Sequence, residues 1–242
     1  MMRSGNPVLK NDKIFSREGS FSSKRAMTIN GTVNKTYFLL LLTVASSAWS
    51  WSYPELYSIL LIVGLIGGLI TAIITIFKKP LAGYTAPVYA LFEGLFLGVI
   101  SAMMEQAYPG IVIQAVLLTF GTLFCLLTAY KSRLIKVTEN FRLGVVAATG
   151  AIFLIYALTF VMGLFGMSMP YIHESGLIGI GFSLVVIVIA SLNLVLDFDF
   201  IEKGAEAKAP KYMEWYGAFG LMVTLIWLYL EILRLLAKLR DR

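Results

Sequence analysis

The feature that most constrains this chain is a succession of seven long apolar stretches, at 36–52, 57–77, 84–105, 110–130, 143–165, 175–199 and 214–236. A helix needs about 20 mostly apolar residues to cross a hydrocarbon core about 30 Å thick, and each stretch meets or approaches that length. Lipid offers backbone groups no partners, so spanning stretches must be helical. The roughly ten-residue alternation of an outer-membrane barrel strand is missing. Punctuation falls where turns are needed: Pro54, Lys78-Lys79-Pro80, Pro109-Gly110, the charged linker 131–142, Pro170 and Pro210. Only 14% of the residues are charged and 58% are hydrophobic, whereas soluble domains are about a quarter charged. The reading is an all-α integral membrane protein. Seven transmembrane helices, residues 36–242, follow a basic, mobile tail at 1–35.

The net charge of +6 is distributed as a topology signal, which argues against nucleic acid as a partner. Seven Lys/Arg lie in the tail, two at 78–79, four in 131–142 and three in 200–213, so 16 of the 20 fall on one side and none in the three opposite loops. Positive charge marks the cytoplasmic side, so the N-terminus is expected inside. Arg234, Lys238, Arg240 and Arg242 are either a tolerated exception outside or a sign that the last segment re-enters; seven crossings is the preferred reading. No apolar run in the first thirty residues suggests a cleaved signal peptide. Cys125 reads as a small buried hydrophobe.

Glycines at Gly64/Gly68, Gly94/Gly98 and Gly176/Gly179/Gly181 suit close helix packing within one bundle. The aromatics Trp49, Trp51, Tyr53, Tyr57, Trp215 and Tyr216 read as an interfacial belt.

Ionisable groups inside spans are costly and are functional candidates for that reason. Glu93 lies mid-way through the third segment, Asp197 and Asp199 near the inner end of the sixth, and Glu231 in the seventh with Arg234 three residues on. Asn193 and Asp197 share a helix face, while Asp199 is rotated about 200° from Asp197. Asp197 is therefore expected to face the bundle and Asp199 the headgroup boundary. Paired acids so placed share protons or hold a cation.

No enzyme chemistry is expected. His173, the single histidine, excludes a histidine-rich zinc site. Gly181-Phe182-Ser183 lacks the following glycine and the histidine of an intramembrane serine protease. Lys238 is too close to the helix end for a retinal site, and no phosphate-binding loop is present.

In Ala86-Pro87-Val88-Tyr89-Ala90-Leu91-Phe92-Glu93-Gly94 with Gly98 and Ser101, in Leu196-Asp197-Phe198, and in Leu228-Tyr229-Leu230-Glu231-Ile232, the chain resembles the Bax inhibitor-1/YccA-like family. Arg3-Ser4-Gly5-Asn6-Pro7-Val8-Leu9 is similar to its longer-tailed bacterial branch, which implies a bacterial inner membrane. The resemblance implies a last helix central to the bundle and a pH-sensitive calcium leak. It also implies an ion-binding, proton-sharing pair of acids, Asp197 and Glu231; the residue reading adds Glu93, Asn193, Asp199 and Arg234 as candidates to line the pore or support the pair. Family members usually carry aspartate at both positions, so Glu231 adds a methylene. Calcium, protons and the bilayer are the implied partners. A non-conducting regulator bound to a membrane protease is the alternative. Glu231 stands 17 residues beyond Glu214, about 25 Å of helix, so the pair meets only if the last helix starts outside the hydrocarbon, tilts or re-enters.

Overall fold

The computed structural model describes residues 26–166 and 176–241. They form seven helices: α1 Ile29–Trp51, α2 Tyr57–Phe77, α3 Ala82–Ala107, α4 Ile111–Lys131, α5 Glu139–Leu164, α6 Leu177–Glu206 and α7 Met213–Arg240. Among the described residues there is no strand, only one isolated bridge between Ala26 and Pro210. Single 3-10 turns at Pro54–Leu56 and Lys79–Leu81 reverse the chain where the prolines end each preceding helix. His173, Pro170 and most of the tail lie outside the described residues.

Six helices, α2 to α7, are long and apolar enough to cross a membrane on their own. The seventh expected span, α1, has the length at 23 residues, about 35 Å, but not the apolarity. Its polar side chains instead face a neighbour. Thr43 donates to the Ala90 carbonyl at 3.3 Å, Ser46 to that of Leu91 at 2.8 Å and Ser47 to that of Gly94 at 2.9 Å. This hydroxyl ladder runs in step along α1 and α3, which makes the two helices parallel. It also explains why the apolar pattern understates α1. The helix starts at Ile29, capped by the Thr28 hydroxyl, which accepts from the Gly31 N–H at 3.0 Å. Residues 29–35 therefore belong to the bundle, not to the tail.

The glycines do the expected packing in part. A side chain at Gly64 would meet the Phe96 nitrogen at 2.7 Å, drawing α2 against α3, and one at Gly94 or Gly98 would strike the α1 backbone. Gly176 and Gly181 have nothing within 4 Å, so of the third cluster only the buried Gly179, whose carbonyl takes Lys238, meets a neighbouring helix. Cys125 is exposed rather than buried, because it points outward from α4 beside Phe124 and Leu117. Such outward apolar side chains cover α2, α4 and α5, a surface that only lipid solvates. The molecule is an integral membrane protein.

α7 is the spine of the bundle. In its central stretch 56% of the residues are buried, against 11% in α5. It packs on α1, α3, α4 and α6, whereas α2 leans mainly on α3 and α5 on α6. The last helix is thus central, with four close neighbours rather than six. It also passes right through. Glu214 at its start meets Thr28 at the head of α1, and Lys238 near its end meets Gly179 at the head of α6, so the chain does not re-enter.

Overpacking a close contact costs about 1–3 kcal/mol. Gly98→Leu, which drives a side chain into the Ser47 carbonyl, should lower the melting temperature of the purified protein. Gly121→Leu, with nothing within 4 Å, should leave it unchanged; differential scanning fluorimetry compares the two.

Candidate functional site

At the end of the bundle where α1 begins, loops rich in Lys and Arg place their charges against three acids near the starts or ends of helices. Glu214, fully buried, accepts from the Thr28 N–H and hydroxyl at 2.9 Å each, from Lys211 at 2.8 Å and from Lys35. A carboxylate at the starts of α1 and α7 also faces the positive ends of both helices. Gly31 leaves the room, since a side chain there would collide with the Glu214 carboxylate. The strap is completed by the Met27 N–H donating to the Ala209 carbonyl at 2.7 Å. Sequence reasoning missed Glu214 because it lies at the edge of an apolar stretch and its partners are 179 and 186 residues away.

Asp199, 6% exposed, pairs with Arg142 and Lys203, each at 2.8 Å. The expectation that Asp199 faces the headgroup boundary is corrected: the start of α5 brings Arg142 over it and covers it. Glu202 similarly takes Arg133 at 2.9 Å and the Tyr130 hydroxyl.

Between α2 and α3 on one side and α5 on the other, a cavity of about 830 Å³ opens against α6 and α7. Arg142 and Lys203 mark its mouth at the basic end; Asp197, Asn193 and Thr224 line its interior. The Asn193 amide is held by Thr149 at 2.8 Å and by the Ile189 carbonyl at 2.9 Å. Asp197 faces Gly220, where a side-chain Cβ would stand 3.8 Å from its Oδ1, and its Oδ2 is buried without a hydrogen-bond partner. Tyr216, expected in the interfacial belt, is a wall of this cavity. Glu93 lies off the cavity, facing Tyr89 one turn away and packed against Gly68 of α2.

Glu231 is elsewhere. Its Oε1 accepts from the Tyr156 hydroxyl of α5 at 2.7 Å and from Arg234 at 2.9 Å, and Arg234 also donates to Tyr156 at 2.9 Å. The other oxygen, Oε2, is buried without a partner. Thr224 marks the level of Asp197 on α7, and Glu231 is seven residues further along, about 10 Å. No hydrogen bond or ion pair joins the two acids. The expected pair is therefore two acids at successive depths, divided by the fully buried Ala190, Leu194 and Leu228.

Lys238 and Arg240 are taken up by the bundle, while Arg242 lies outside the described residues. Lys238 is buried and donates to the Gly179 carbonyl at 2.9 Å and to Ser183 at 3.0 Å. Arg240 donates to the Pro109 carbonyl at 2.8 Å. These contacts supply the physical reason that basic residues are tolerated at the less basic end. Among the described residues no three His, Cys, Asp or Glu side chains gather as a metal cage.

Removing one partner of a buried ion cluster strands the others. Glu214→Gln should cost up to about 3 kcal/mol after discounting the half-exposed Lys211, and it should expose the 26–28 segment to protease. Limited proteolysis with mass mapping checks this.

No curated protein and no solved structure matches the chain. The sequence pattern of the group described as Bax inhibitor 1 like matches residues 6–241. With nearly the whole length matched and the three quoted motifs placed on α3, α6 and α7, the chain belongs to the Bax inhibitor 1 like family.

Proposed function

We propose that this protein is a pH-sensitive cation leak, with calcium as its cargo and Asp197 and Glu231 as its two acid checkpoints. One observation carries the reading. Among the described residues, the only buried side-chain oxygens or nitrogens without a hydrogen-bond partner are Asp197 Oδ2 and Glu231 Oε2. An unanswered carboxylate oxygen inside a bundle is expensive, and two on neighbouring helices point to a proton or a cation as the missing partner. Calcium takes six to eight oxygens, and each acid offers one carboxylate, so the ion would pass with much of its water rather than rest in a cage.

The cavity supplies access from the basic end as far as Asp197. In this reading the fully buried Ala190, Leu194 and Leu228 close the path beyond it, and the arrangement corresponds to a shut leak. Protonation of Glu231 would weaken its hold on Arg234 and Tyr156, freeing α5, the least buried of the spanning helices, to move away from α7. Flux therefore rises as pH falls, and calcium competes with protons for the ionised acids. The basic end is cytoplasmic by its excess of Lys and Arg, in keeping with a bacterial inner membrane.

The same closed layer favours a second reading, a non-conducting regulator bound to a membrane protease, with the basic N-terminal segment as the contact. Calcium flux into proteoliposomes, followed between pH 5 and pH 8 with an entrapped dye, separates the two. The leak predicts flux that increases toward low pH and a flattened profile in Asp197→Asn with Glu231→Gln. Absence of flux in the wild type at every pH, with partner capture lost on deletion of residues 1–25, supports the regulator instead.

A further inference from the structure

The cavity that holds Asp197 carries more than a carboxylate. Four aromatic rings follow one another along its wall: Phe200 to Tyr216 at 6.0 Å between centroids, Tyr216 to Phe219 at 6.4 Å, and Phe219 edge-on to Tyr89 at 5.0 Å. All four line the same space as Asp197. Ring faces carry negative electrostatic potential and attract a cation within about 6 Å of the centroid. One ring already does so, since Lys79 Nζ sits 5.1 Å from the centre of Tyr216. Aromatic walls add little for a small hydrated metal ion, which needs oxygen ligands. They suit a cation whose charge is wrapped in methyl or methylene groups.

The surrounding charges leave room for such a ligand. At the mouth, Arg142 and Lys203 pair with Asp199 at 2.8 Å each, and Glu139 stands 3.5 Å from Arg142; Lys79 over Tyr216 is a third positive charge, which Asp197 balances. Deeper in, Asp197 keeps an unpartnered, buried oxygen. At about 830 Å³ the space lies within the range of small-molecule sites.

We infer that this cavity binds an organic ammonium ion, with its charge on Asp197 and its alkyl groups against Tyr89, Phe219 and Tyr216. The inference uses the cavity also invoked for the leak but does not require conduction. Full-length protein in lipid nanodiscs, titrated calorimetrically with tetraethylammonium and with choline against a sodium control, tests it. Saturable binding is expected for at least one probe and none for sodium. Asp197→Asn should abolish binding, Phe219→Leu should weaken it about tenfold, and Tyr216→Phe, which keeps the ring, should bind like the wild type. Wild-type melting temperatures qualify each variant. Should Asp197→Asn fail to fold, the Phe219→Leu and Tyr216→Phe contrast carries the test. Failure of the wild type to bind either probe, or undiminished binding in a folded Asp197→Asn or Phe219→Leu, overturns the site. Calcium flux is measured separately: ammonium binding in a protein that passes no calcium sinks the leak and leaves the site standing.

Discussion

Lipid answers no polar group, and this constraint shapes nearly every contact in the molecule. Hydroxyls in α1 turn to the carbonyls of α3. Carboxylates at the basic end collect lysines, arginines and helix starts. Even Lys238, deep at the far end, is taken up by a carbonyl and a serine of α6. Against so complete a settlement, the two unanswered carboxylate oxygens stand out as places where the protein retains an unmet demand for positive charge. Leaving a buried carboxylate oxygen unsatisfied is costly even where, as in Glu231, the other oxygen is paired, so their retention is an argument for use.

Helix number and position were legible because a span is a local, contiguous pattern. The boundaries of α2 match the apolar stretch residue for residue, and Pro54 and Pro80 sit in the turns they announce. α1 was harder to read for the reason that makes it functional in packing: a helix that spends its polar side chains on a neighbour's backbone looks less apolar than one facing lipid. Gly64, Gly94 and Gly98 were legible through their spacing, while Gly176 and Gly181 show that a glycine at a helix start need not mean contact.

The candidate acids were also legible, since Asp197 and Glu231 announce themselves as charges within apolar runs. Partners on other helices were not. Tyr156 reaches Glu231 across 75 residues of chain, as Arg142 reaches Asp199 across 57 and Lys35 reaches Glu214 across 179, and no periodicity encodes such meetings. Asp199 shows the consequence. By helix geometry alone it turns away from Asp197, which holds, yet the face it turns to is covered by α5 and not by headgroups. Depth was the third unreadable quantity. Whether Asp197 and Glu231 share a level depends on how far α7 is shifted along α6, and the contacts of Gly220 and Lys238 fix that shift so that they do not.

The stagger of the two acids changes the physics expected of them. Two carboxylates in contact titrate as one unit, each setting the other's proton affinity. Two acids about 10 Å apart along a helix, with a packed aliphatic layer between them, each sit in their own surroundings. Those surroundings differ: Glu231 has a basic and a phenolic neighbour, whereas Asp197 opens to an aromatic-walled cavity. In the proposed leak the pair would act as two locks in series rather than as one latch. Beside the layer between them lies α5, the least buried of the spanning helices. α5 contributes both Arg142 to the mouth and Tyr156 to the inner acid, so one displacement of that helix alters both positions together.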